Sequence, residues 1–136
     1  MTYSAMMRGA KGLLWYTYKG YGQYLPEEAP ELWAAQKELL AELHDMEDFW
    51  MARGYGKMIA DGEEAQVLAC MKKSSIGTFV IAVNTSKTES ITQELVLPGV
   101  KNGTLTVYNE DRSLSISGGS FKDNFAPLDV HIYKID

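Results

Sequence analysis

From Tyr55 onward the sequence is a succession of short apolar runs, each bounded by turn-forming residues, and this rhythm restricts the fold more than any other feature. Turn signals recur about every eight to twelve residues, the spacing of an antiparallel sandwich. The predicted strands are Lys57 to Ala60, Gln66 to Lys72, Thr78 to Asn84, Ile91 to Leu97, Thr104 to Tyr108, Ser113 to Ser117 and Val130 to Ile135. About seven strands are enough for two packed sheets. Asp61-Gly62, Ser74-Ser75, Pro98-Gly99, Asn102-Gly103 and Gly118-Gly119 supply the turn chemistry between them.

The first 54 residues follow a different rhythm. Thr2 to Arg8 suits a short helix stopped at Gly9 or Gly12. Leu13 to Tyr18, LLWYTY, is apolar and aromatic without a helical period, and its length suits a buried strand. A glycine-rich loop, Lys19 to Gln23, follows. Pro26 and Pro30 then frame a helix start, with Glu27, Glu28 and Glu31 where negative charge complements the helix dipole. The periodicity predicts one helix from about Pro30 to Trp50, with Leu32, Leu39, Leu43, Met46 and Trp50 on one apolar stripe. The expected architecture is mainly β with an α segment: a helix-strand-helix piece over 1–54 and an antiparallel β-sandwich over 55–136.

Charge and cysteine usage narrow the function. A net charge of −5, with no basic cluster longer than Lys72-Lys73, argues against nucleic acid as a partner, because phosphate binding requires grouped Lys and Arg. The single Cys70 cannot form an internal disulfide and sits in an apolar run, as a buried strand residue would. No apolar run approaches a membrane span, and Met1 to Ala10 lacks a signal-peptide pattern, so a cytoplasmic chain is expected as the sequence stands.

No chemical motif converges. Neighbouring carboxylates such as Glu27-Glu28, Glu47-Asp48 and Glu63-Glu64 point apart on a helix or strand, so they read as solvated surface rather than a facing acid and base. His44 with Asp45, Glu47 and Asp48 matches no metal-ligand spacing. His131 reads as a hydrogen-bonded strand histidine on the same face as Tyr133. The glycine pairs Gly20-Tyr21-Gly22 and Gly118-Gly119 lack the phosphate-loop and dinucleotide fingerprints and read as turns. Asn84-Thr85-Ser86 and Asn102-Gly103-Thr104 match the glycosylation sequon, which carries weight only in a eukaryotic secreted protein. No catalytic residue, metal or cofactor is expected.

Gly9 to Gly20, GAKGLLWYTYKG, followed by a long helix, resembles the last barrel strand and last helix of a (β/α)8 glycoside hydrolase. GTFVIAVNTS, ELVLPG and GSFKDNFAPLDVHIYKI resemble the C-terminal β-sandwich that follows the barrel in many such enzymes. A barrel of this kind needs eight strand-helix units and about 250 residues, so only its final unit would be present. The resemblance therefore brings no catalytic carboxylate with it. It does imply that Trp15 matches a Trp lining the sugar site near the end of the last strand, with Tyr18 a second substrate-binding candidate. Aromatic faces suit sugars because pyranose C–H groups stack on a π-surface.

The implied role is a non-catalytic C-terminal accessory domain of a glycoside-hydrolase-like protein, the chain being a fragment or split piece of it. The expected partners are a carbohydrate and either the missing barrel segment or a second copy of the chain, since an unpaired strand such as LLWYTY must be covered or paired. The rival expectation is a stand-alone carbohydrate-binding sandwich. Tyr55, Phe79, Tyr108, Phe121, Phe125 and Tyr133 distinguish the two: exposed coplanar rings favour the binder, buried rings the scaffold.

Overall fold

The computed structural model describes residues 1–16, 18–20, 23–53, 56–62 and 65–136. They form two compact units, one of Met1–Ala10 with Arg53–Asp136 and one of Lys11–Ala52.

The first unit contains the expected sandwich, with eight strands among its described residues, and also takes in Met1–Ala10, which the sequence reading places in the 1–54 piece. Strands β3 (Lys57–Ala60), β4 (Val67–Ser74), β5 (Gly77–Asn84), β7 (Gly103–Val107), β8 (Ser113–Ile116) and β10 (Val130–Ile135) make one antiparallel sheet in the order β3-β4-β5-β10-β7-β8. The second sheet pairs β6 (Ile91–Val96) with β9 (Ser120–Phe125). β9 was not expected. Ser-Phe-Lys-Asp-Asn-Phe holds only two apolar residues, so its alternation is too sparse to read as a strand; Leu95↔Phe121 and Ile91↔Phe125 pairing with β6 settles it.

The core lies between the sheets. Val67, Ala69, Val80, Ala82, Leu105, Val107 and Tyr133 from the large sheet meet Leu95, Phe121 and Phe125 from the small one. The opposite face of the central strands is also apolar, carrying Leu68, Cys70, Ile81, Val83 and Ile132, all buried. Helix α1 (Thr2–Met7) packs on β4 and β5, and its Tyr3 and Met7 are buried. It stops at Gly9, whose φ of 97° only glycine adopts freely, with the Gly9 amide donating to the Met6 carbonyl. A side chain at Gly56 would meet the Cys70 sulfur at 3.2 Å and the Met7 carbonyl at 3.4 Å, so the chain passes close here because that position is glycine.

The second unit departs from the sequence reading in two ways. Leu13, Leu14, Trp15, Tyr16 and Tyr18 belong to no strand; a two-residue ladder, β1 (Lys19–Gly20) with β2 (Gln23–Tyr24), follows instead. A barrel strand is held by ladders on both sides, and the other strands needed for such pairing are not in this sequence. The predicted single helix from Pro30 to Trp50 is also divided. Residues form α2 (Leu25–Glu28), α3 (Pro30–Asp45) and α4 (Glu47–Met51), and Met46, at φ −100° and ψ 16°, both closes α3 and opens α4. At and after this turn Met46, Phe49 and Trp50 are buried, the two rings 4.9 Å apart between centroids. No residue of α3 is buried. No helix among the described residues is long and apolar enough to cross a membrane.

Candidate functional site

In the second unit, α3 and the segment before β1 enclose an open cavity of about 370 Å³. Trp15 and Tyr18 both line it, together with Trp33 and Gln36 of α3. The rings are arranged by direct contact. Tyr18 meets the edge of Tyr24 at 5.2 Å between centroids and lies tilted against Trp33 at 5.2 Å. The Tyr18 and Tyr24 hydroxyls are 2.7 Å apart, and this hydrogen bond raises the Tyr18 phenol above its ordinary value. The Lys37 ammonium stands 5.9 Å from the Trp33 ring, a cation–π distance. Lys11 ties the start of this unit to its end through its ammonium, which donates to the Trp50 carbonyl and, at 3.5 Å, to that of Ala52. Flat rings beside a pair of hydroxyls can stack on an apolar ligand face and bond its polar rim.

The first unit holds a denser polar cluster that sequence reasoning missed, except for His131. Arg112, in the turn between β7 and β8, donates to Asp123 of β9 at 2.9 Å and to Glu110 at 2.7 Å. Tyr133 of β10 donates to Asp123 at 2.7 Å, and the Asn124 amide donates to the same carboxylate at 2.8 Å. His131 stands 2.6 Å from Glu110 through Nδ1 and 3.3 Å from the Asn124 carbonyl through Nε2. It is a buried, hydrogen-bonded strand histidine that shares a face with Tyr133, their ring centroids 6.1 Å apart.

Burial works against the Asp123 carboxylate, yet the hydrogen bonds from Arg112, Tyr133 and the Asn124 amide outweigh it and hold the group below the usual carboxylate range. Glu110 behaves alike, its burial overcome by Arg112 and His131. The bond to Asp123 raises Arg112, and burial followed by that same carboxylate raises Tyr133. Asp123 thus joins the small sheet to the large one. Both oxygens of its carboxylate are taken up by Arg112, Tyr133 and the Asn124 amide, which makes the cluster a brace between the sheets. The signal in the sequence was Asp123 itself, a charged residue between Phe121 and Phe125 on the inward row of β9.

The remaining candidates fall where a surface reading puts them. Glu27, Glu28, Glu47 and Asp48 are exposed, and His44 makes only an exposed contact of 3.3 Å with Glu47. Glu63-Glu64, Tyr55 and part of the Gly20-Tyr21-Gly22 loop lie outside the described residues. Among the described residues no group of His, Cys, Asp and Glu could hold a metal ion. Of the two sequons, Asn102 is exposed, whereas Asn84 is fully buried, its amide donating to the carbonyls of Glu89 and Ala126 at 2.8 Å. Burial raises the Cys70 thiol to about 11, so it is not a nucleophile.

No protein-family model matches the chain, and no curated protein matches it in sequence. Solved structures do. AmyP in a variant form with maltotriose aligns at a TM-score of 0.63 and 19% identity, over 88% of this chain and 24% of its own. AmyP with maltose gives 0.61 and 18%, over 87% and 23%. The α-amylase of Geobacillus thermoleovorans with acarbose gives 0.58 and 18%, over 79% and 23%. The chain therefore spans about a quarter of the length of the proteins it resembles, and at these identities the likeness establishes the fold. The chain is similar in structure to part of an α-amylase-family glycoside hydrolase, as a C-terminal piece of such a protein would be.

Proposed function

We propose that this chain is the C-terminal accessory part of an α-amylase-like glycoside hydrolase, in which the sandwich is a non-catalytic scaffold and the second unit completes the barrel. The observation that carries this reading is the extent of the structural match. A likeness over 88% of the chain is longer than the first unit, Met1–Ala10 with Arg53–Asp136, and reaches into the second. Of the six rings that distinguish scaffold from binder, Phe79, Phe121, Phe125 and Tyr133 are buried and offer no platform to a sugar, Tyr108 is half-buried and Tyr55 lies outside the described residues; the buried four support the scaffold. In the assembled enzyme Trp15 would contribute a stacking face to the sugar site, with Tyr18 beside it, and the carboxylates of catalysis would come from the preceding barrel strands.

The test is to titrate the isolated, isotope-labelled chain with maltotriose while recording amide shifts, and to assay the same sample on an aryl maltoside. The scaffold reading expects no shifts in the sandwich and no hydrolysis. A contiguous set of shifting sandwich amides would make the chain a carbohydrate-binding module instead. Turnover lost on replacing one carboxylate would make it an enzyme.

A further inference from the structure

The second unit leaves an apolar face open that is too large for a settled monomer, and we infer that in this chain a second copy covers it. Leu14 is 94% exposed, Tyr16 84%, Leu32 53%, Tyr18 49%, Leu40 45% and Trp15 39%. All six line the one cavity against α3, so they form a single patch rather than scattered surface residues. With aromatic side chains covering about 150–250 Å² each, and leucines somewhat less, the open apolar area is on the order of 700 Å² per copy. Monomers seldom expose a patch beyond about 300–600 Å², and each partner in a standard interface contributes about 800 Å². The face therefore has the area of half an interface.

A second copy fits this patch in kind as well as in size. An isologous pair buries the same six side chains twice, giving roughly 1,400 Å² in total, inside the range of stable interfaces. Leu13 to Trp15 belong to neither helix nor strand, so strand addition across the two-fold axis would displace no ladder of theirs. Each copy carries a net charge of −5, so the association works against like-charge repulsion and strengthens as salt screens it. This inference uses only the exposures of the second unit and concerns the chain as it stands; in the assembled enzyme proposed above, the preceding barrel would cover the same face instead.

Light scattering on the whole chain at concentrations on the order of 100 µM tests it. The expected mass is twice 15.2 kDa. The dimer fraction should rise with salt, fall to monomer in the double variant Leu32→Glu/Leu40→Glu, and be unchanged in Glu38→Gln on the exposed polar side of α3. A monomer at that concentration overturns the inference, as does a dimer that persists in the double variant. Should the double variant lose its helical signal, hydrogen exchange of the unmutated chain decides. Slowing of the Leu13–Tyr16 amides with rising concentration supports the pairing, and rates independent of concentration refute it.

Discussion

Replacing Asp123 by Ala should unsettle the sandwich more than any other single polar change. The carboxylate side chain is only 9% exposed; it accepts hydrogen bonds from the Arg112 guanidinium, the Tyr133 hydroxyl and the Asn124 amide, and its second oxygen is ion-paired with Arg112 at 2.8 Å. Alanine strands the hydroxyl of Tyr133, whose residue is completely buried, at about 1–3 kcal/mol for an unsatisfied group. It also leaves Arg112 with Glu110 alone. That loss is discounted because Arg112 is a third exposed, so the total should be about 2–4 kcal/mol rather than the full cost of breaking a buried pair. For a domain of this size the loss corresponds to a fall in Tm of roughly 10–20 °C. Urea denaturation of Asp123→Ala, Tyr133→Phe and the double variant gives the measurement. Tyr133→Phe should cost about 1 kcal/mol in the native background and close to nothing once Asp123 is gone, because the orphaned hydroxyl is then removed. Additive losses, or a loss below about 1 kcal/mol for Asp123→Ala, would refute the brace.

Other measurements bear on the same structure. The Asp123 carboxyl lies below its unfolded value, so the unfolded chain binds more protons at acid pH and stability falls as pH falls; the difference between native protein and Asp123→Asn should be flat above about pH 5 and shrink below about pH 4. Asn84→Ala should cost about 2 kcal/mol by thermal melting, and Asn84→Asp more at neutral pH, since a carboxylate would face the carbonyls of Glu89, Phe125 and Ala126. Leu128 holds a φ of 64° in the Ala126–Asp129 turn while more than half exposed, so Leu128→Asn should raise stability by roughly 0.5–1 kcal/mol. Cys70 should resist a thiol reagent at pH 8 in the folded protein and react at once in denaturant.

Where the sequence could be read, local pattern and turn chemistry were sufficient. β3 and β10 have the predicted bounds, and β4 to β8 differ by a few residues at most, because each alternates or runs apolar between Gly, Asn, Pro or Ser turns. β9 escaped because its inward row spends one of three places on Asp123, and only a long-range partner, Tyr133, explains a charge there. LLWYTY misled for the converse reason: its composition suits a strand, but a strand is a property of pairs, and composition cannot show whether neighbours are present. The stripe from Leu32 to Trp50 showed an apolar face without showing that Met46 would divide it. Trp15 and Tyr18 were named through a family resemblance, and the structure brings them to one cavity; Trp33 and Lys37 are one helical turn apart on α3, but no spacing rule joins that helix or Tyr24 to Trp15 and Tyr18. The Glu110–Arg112–Asp123–Tyr133 brace draws on three elements; along the chain only Asp123, a charge on an inward row, marks it, and its partners lie too far away in sequence to be read.

The strand order has a consequence for how the sandwich comes into being. β10 follows every other strand in the sequence yet lies inside the sheet, between β5 and β7, with Val130 opposite Val83 and Tyr133 opposite both Val80 and Val107. Until it inserts, β3-β4-β5 and β7-β8 are separate ribbons with facing open edges, and the ladders that join them close loops of about fifty residues on one side and half that on the other. Joining of the two ribbons into one sheet must therefore wait on β10. A nascent chain lacking β10 would expose two unpaired strand edges at once, which makes the interval before its synthesis the moment of greatest exposure to misassembly.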